Sequence, residues 1–110
     1  MNLPSSDLAS LMPFIAERYV FDSKSYPGFD DLSPAQQRLF MVNHSVLHMN
    51  KSLGRIAGEV EAADHGDLIK HEELIVATMK MVVNSLRLAE ALGLSPDEVA
   101  KRVPKVMRSQ

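Results

Sequence analysis

Apolar positions along this chain recur at helical intervals, and no stretch alternates in the way a half-buried strand would. The first helical pattern runs from about Ser5 to Phe21 through Leu8, Leu11, Met12, Ile15 and Tyr19, with Ser5 or Ser6 as its cap. Pro13 is expected to kink this helix or to mark its true start, because it removes a backbone donor. The segment from Asp22 to Leu32, DSKSYPGFDDL, is rich in turn formers and reads as a loop.

Ser33-Pro34 then supplies a cap followed by proline at the first helical position. No breaker follows until Gly66, and Leu39, Val42, Val46, Met49, Leu53, Ile56, Val60 and Ala63 make one continuous apolar seam. Phe40, Leu47, Gly54 and Gly58 widen that seam on one flank, so the helix should pack on two sides. Gly54 and Gly58 share a face where close approach of another helix would offset their cost of about 1 kcal/mol each relative to Ala. A helix of this length measures about 45 Å. His65-Gly66-Asp67 forms the turn, and a second helix is predicted from near Asp67 to Leu92, with Gly93 as its left-handed terminator. The centre of this second helix is apolar almost all round, which suits the middle of a core. Ser95-Pro96-Asp97-Glu98 opens a short last helix that Pro104 should disturb.

The predicted fold is all-α: a long antiparallel helical hairpin with a shorter N-terminal helix and a short C-terminal one. The whole chain, 1–110, forms one domain, with an N-terminal helix and loop over 1–32 and a helical core over 33–108. One hairpin cannot cover so wide an apolar arc. Self-association into a homodimer or higher homo-oligomer is the expected remedy.

Two polar stripes interrupt the apolar background. On the long helix His44, His48, Lys51, Arg55 and Glu59 fall within about 80° of arc, and on the next helix Glu73, Ala77, Lys80, Asn84 and Arg87 do the same. Folding about Gly66 brings His48 level with Asn84, Ser52 with Lys80, and Glu59 with Glu73. If the stripes face each other they make a polar pocket, in which Lys51, Arg55, Lys80 and Asn84 would bind an anion. His48 or Glu59 would be the candidates for proton transfer there. If they do not, each stripe is a solvated face. The spacing of His44 and His48 would let two imidazoles share a metal, but no third ligand is fixed. An acidic cluster near the turn, with Glu59, Glu72 and Glu73 foremost, offers an alternative site for a divalent cation.

Composition narrows the choices only a little. The chain is 45% hydrophobic and 24% charged with a formal net charge of −2, which selects no class of partner. Lys101, Arg102, Lys105 and Arg108 cluster at the end, where they also complement a helix dipole. A nucleic-acid partner is not expected. The absence of cysteine excludes disulfides, thiolate metal sites and thiol nucleophiles. No apolar run approaches the ~20 residues of a membrane span, and Met1 to Ala9 lacks the features of a signal peptide. A soluble cytoplasmic protein without membrane association is expected.

The order of features from about Ser33 to Arg108 resembles the MazG-like family of all-α nucleoside-triphosphate pyrophosphohydrolases. Leu53-Gly54-Arg55-Ile56-Ala57 on the long helix is similar to that family's VGELA stretch. A second helix ending in Leu86-Arg87-Leu88-Ala89-Glu90-Ala91-Leu92-Gly93-Leu94, followed by a short helix, is the better match. The resemblance implies a helical bundle completed by oligomerisation. In the family an EExxE motif and an ExxD motif hold Mg²⁺. By position those carboxylates fall here on Lys51, Ser52 and Arg55, then on Ala77 and Lys80, none of them acidic. This set cannot hold Mg²⁺, which demands oxygen ligands, so no cofactor is predicted at the family position.

Three functions remain in view. One is a MazG-like domain that binds a nucleotide or other phosphorylated small molecule without the metal. Another is a non-catalytic oligomerisation or protein-interaction module. The third is a pyrophosphohydrolase using Mg²⁺ on the relocated acids.

Overall fold

The computed structural model describes residues 7–108, and within them every regular element is helical. Helix α1 spans Leu8–Arg18, α2 Pro34–Asp64, α3 His71–Ala91 and α4 Pro96–Arg108, with one 3₁₀ turn at Phe29–Asp31. The predicted caps Ser5 and Ser6 lie outside the described residues. Asp7 caps α1 instead, its side chain accepting from the Ser10 backbone N–H at 2.8 Å. Pro13 lies inside α1, and Pro104 inside α4. Neither proline ends its helix.

Helix α2 starts where Ser33-Pro34 predicts. Ser33 Oγ accepts from the Gln36 N–H while Gln36 Oε1 accepts from the Ser33 N–H, a reciprocal box that satisfies two orphan donors. The helix ends at Asp64, and Gly66 reverses the chain in a left-handed conformation at φ 94°. The second helix of the hairpin begins later than expected, at His71 and not near Asp67. Glu59 explains the delay: its carboxylate accepts the Lys70 backbone N–H at 2.9 Å, which fixes the start of α3 one turn back along α2. At the other end Gly93 adopts φ 83° and the Leu94 N–H donates to the Ala89 carbonyl, closing α3 as its sequence predicts.

Helices α2 and α3 pack along each other as the antiparallel hairpin, and α1 touches both α3 and α4. Small residues occupy the contact. Ser45 and Ala77 are fully inaccessible and Ser52 is nearly so. Ser45 Oγ donates to the Met41 carbonyl in its own helix at 2.9 Å, so it can be buried without a partner across the interface. Gly54 and Gly58 do not mediate this contact, contrary to expectation: a Cβ at either position would meet nothing within 4 Å.

The apolar seam of α2 is left largely uncovered. Leu39, Val46, Leu53 and Val60 are between 42% and 60% exposed. On α3, Ile75, Val76, Met79 and Val82 are between 40% and 52% exposed, so α3 is not the enclosed core helix that its composition suggests. The accessible surface totals 8038 Å², against about 6,100 Å² for a compact monomer of this length. The radius of gyration is 16.5 Å, against about 13 Å for a compact domain.

Because the hairpin closes over an alanine, replacing Ala77 with leucine should separate α2 from α3. Overpacking of this kind costs about 1–3 kcal/mol, and chemical denaturation would measure it. An unchanged midpoint would show that the helices do not meet at Ala77.

Candidate functional site

The polar flank of α2 faces the polar flank of α3, and a cavity of about 580 Å³ opens between them. Its walls carry four cations, Lys51, Arg55, Lys80 and Arg87, together with His48, Ser52 and Asn84. Tyr19 and Tyr26 enter from the segment between α1 and α2. No aspartate or glutamate lines it. The volume falls within the ~300–1,000 Å³ usual for small-molecule sites.

Lys51, Arg55 and Lys80 are exposed, whereas Asn84 and Arg87 are only 8% and 7% accessible. Asn84 Nδ2 donates to the Lys80 carbonyl one turn back at 2.8 Å. Arg87 is held by aromatic faces: its guanidinium carbon lies 4.5 Å from the Phe21 ring centroid and 5.1 Å from that of Tyr19. One terminal nitrogen donates to the Tyr19 carbonyl at 3.3 Å, while the buried Nε has no hydrogen-bond partner. No carboxylate among the described residues forms an ion pair with it. Desolvating a guanidinium costs several kcal/mol. The two cation–π contacts return about 0.5–2 kcal/mol each. Arg87 is therefore a buried positive charge without an ion-pair partner among the described residues.

An aromatic cluster presses the Asp22–Leu32 loop onto the first half of α2. Phe21 stacks on Tyr26 at 5.4 Å, Tyr26 meets the edge of Phe40 at 5.2 Å, and Phe40 stacks on His44 at 5.7 Å. This places Tyr26 Oη 3.0 Å from His44 Nε2, and His48 Nε2 lies 3.0 Å from the same nitrogen. In a neutral His44 with that nitrogen bare, one lone pair is shared between the two groups, and the tautomers of the two rings set which of them donates. Protonating it would turn it into a donor and remove that acceptor. Both imidazoles are held below their ordinary pKa of 6.5, foremost by burial. His44 is lowered further by His48, Arg87 and Lys51, and His48 by Lys51 and Arg87.

Of the residues singled out in the sequence, His48, Lys51, Arg55, Lys80 and Asn84 share this cavity. Glu59 does not line it and instead caps α3 through Lys70. Glu59, Glu72 and Glu73 are not drawn into a metal-holding group: among the described residues no three His, Asp or Glu side chains are. His44 and His48 converge without a third such ligand. The sequence placed Arg87 on the α3 stripe but did not single it out as a binding residue. The signal available was an arginine amid leucines and alanines on the same face as Ala77 and Asn84. Tyr19 and Tyr26 carried no signal, since nothing in their spacing ties them to the hairpin. Comparison with known proteins finds no matching family, curated sequence or solved structure.

The lowered histidine values set a direction for acid stability. In the unfolded chain these rings take up protons near pH 6.5, and in the folded chain only at lower pH, so the unfolded state binds more protons in between. Stability contributed by the neutral pair is thus present above pH 6.5 and lost as pH falls through that window. Thermal melts between pH 7.5 and 5.5 should show a falling midpoint, and His44→Gln with His48→Gln should flatten the slope. A slope unchanged by the double substitution would contradict this assignment.

Proposed function

We propose that this chain binds a phosphorylated small molecule, a nucleotide being one example, in the cavity between α2 and α3, and does so without a metal ion. One observation carries the reading: Arg87 is buried in the cavity wall with an unpartnered Nε and, among the described residues, no ion-pair partner. Lys51, Arg55 and Lys80 add positive charge around the same space, and no acid offsets it. Several like charges around one concavity repel one another until a polyanion enters. Arginine's planar fork suits phosphate oxygens, and lysine serves as a point charge. The donor set does not suit Mg²⁺, which takes oxygen ligands, so the cations would meet the phosphate directly. The MazG-like resemblance agrees with a nucleotide ligand while its metal chemistry has no carboxylates to use. His48 is the one neutral base in the cavity wall, and the proposal is for binding alone.

The test is thermal denaturation with phosphorylated ligands and a chelator present. Saturation at about 100 times Kd stabilises by ~2.7 kcal/mol. This should raise the melting temperature by several degrees, and Lys51→Ala or Lys80→Ala should remove most of the rise. No shift across mono-, di- and triphosphates would overturn the proposal.

A specific observation also supports a self-associating protein. The excess accessible surface and the open flank of Leu39, Val46, Leu53 and Val60 leave the hairpin short of a partner. At 100° per residue that flank lies on roughly the opposite side of α2 from His48, Lys51 and Arg55, so a second copy docked there would leave the cavity open. The excess of about 1,900 Å² over a compact monomer exceeds the ~800 Å² per partner of a standard interface. Sedimentation should give a homodimer or larger homo-oligomer, and Leu53→Glu should yield monomers. A wild-type monomer at high micromolar concentration would contradict it.

A further inference from the structure

We infer that the ligand site is bipartite: the phosphate group occupies the cationic cavity, and a compact ring attached to it enters an adjoining apolar cavity behind Tyr19 and Arg87. The inference rests on the anion-binding reading above and extends it to the other half of the ligand. The second cavity has a volume of about 260 Å³ and is lined by Ala16, Val20, Phe21, Met41 and Ala91, with Glu90 as its one acid. It shares two residues with the cationic cavity, Tyr19 and Arg87. These two are joined to each other, since the Arg87 guanidinium donates to the Tyr19 carbonyl and sits over its ring. Tyr19 and Arg87 thus border both the polycationic space and a more apolar one.

The contrast between the two spaces selects the ligand's chemistry. Burying apolar surface in the smaller cavity is favourable by roughly 25 cal/mol per Å²; of its two charged residues Arg87 is common to both cavities, and Glu90, found in this one alone, disfavours an anionic group at its end. The charged end is therefore directed to Lys51, Arg55 and Lys80, and the apolar end to Ala16 and Met41. A cavity of ~150 Å³ is enough to hold benzene, so 260 Å³ admits one substituted ring. Glu90 can accept a hydrogen bond from an amino or hydroxyl group on that ring. Tyr19, which is 53% exposed and stands at the junction, offers a face for the ring to slide against. The class indicated is a phosphate ester or anhydride carrying a single compact ring.

Titration calorimetry with inorganic tripolyphosphate and with a set of ring-bearing triphosphates separates the two halves. The wild-type chain should bind at least one ring-bearing triphosphate about tenfold or more tighter than tripolyphosphate. Ala16→Leu, which fills the apolar cavity, should abolish that gain and leave tripolyphosphate affinity unchanged; Val20→Phe, at an exposed position, serves the same end if Ala16→Leu fails to fold. Equal affinities in the wild type, or a gain that survives the filled cavity, would overturn the bipartite site while leaving the cationic cavity intact. Failure of tripolyphosphate and every ring-bearing anion to bind would remove both.

Discussion

A guanidinium taken out of water without an ion-pair partner among the described residues is the constraint around which this structure is arranged. Arg87 sits on the inner face of α3 at 7% exposure, between the rings of Tyr19 and Phe21. Those rings belong to the segment just beyond α1, so the chain leaving α1 passes over the same guanidinium. The aromatic cluster that continues from Phe21 through Tyr26 to Phe40 and His44 holds the loop on α2. The packing of α1 and the loop on the hairpin, and the cavity between its helices, thus meet at one charged side chain. Its contacts restore only part of what burial removes, and the proposed anion would supply the remainder.

The distribution of polarity follows from this arrangement. Ser45, Ser52, Asn84 and Arg87 are buried, while Leu39, Val46, Leu53, Ile75, Met79 and Val82 lie substantially exposed. Buried polar side chains are tolerable here because several bond back to carbonyls of their own helix, as Ser45 does to Met41 and Asn84 to Lys80. Exposed apolar side chains are tolerable only if something covers them. The two faces of the hairpin accordingly serve different ends: one collects charge around a cavity, the other presents a hydrophobic seam.

Much of the fold was legible in the sequence because its signals are local. Ser33-Pro34, Gly66 and Gly93 each set a helix end through capping or a left-handed backbone, and neither depends on distant residues. Pro13 and Pro104 both lie inside their helices, so Pro13 does not mark the start of α1. The start of α3 was missed because it is set by Glu59 reaching Lys70 across the turn, a contact that spacing does not announce. The level of residues along the hairpin could be read from the turn, but their rotation about the helix axes could not. That rotation is decided by Ser45, Ser52 and Ala77, whose small size lets the helices close on this face, and so turns the stripe bearing His48, Lys51 and Arg55 toward Lys80 and Asn84. The buried face of α3 was misjudged for the same reason, since Ile75, Val76, Met79 and Val82 are substantially exposed while Ala77, Asn84 and Arg87 are buried.

On the proposed reading, Arg87 is kept buried at a cost to stability because an anion completes it. Replacing Arg87 with methionine, which keeps most of the apolar stem and removes the charge, tests this most directly by pairing a denaturation curve with a phosphate-ligand titration. The expected result is an unliganded variant at least as stable as the wild type, since replacing a buried ion by an apolar side chain of similar volume is neutral or stabilising, together with loss of phosphate binding. A variant several kcal/mol less stable that still binds the ligand would contradict it.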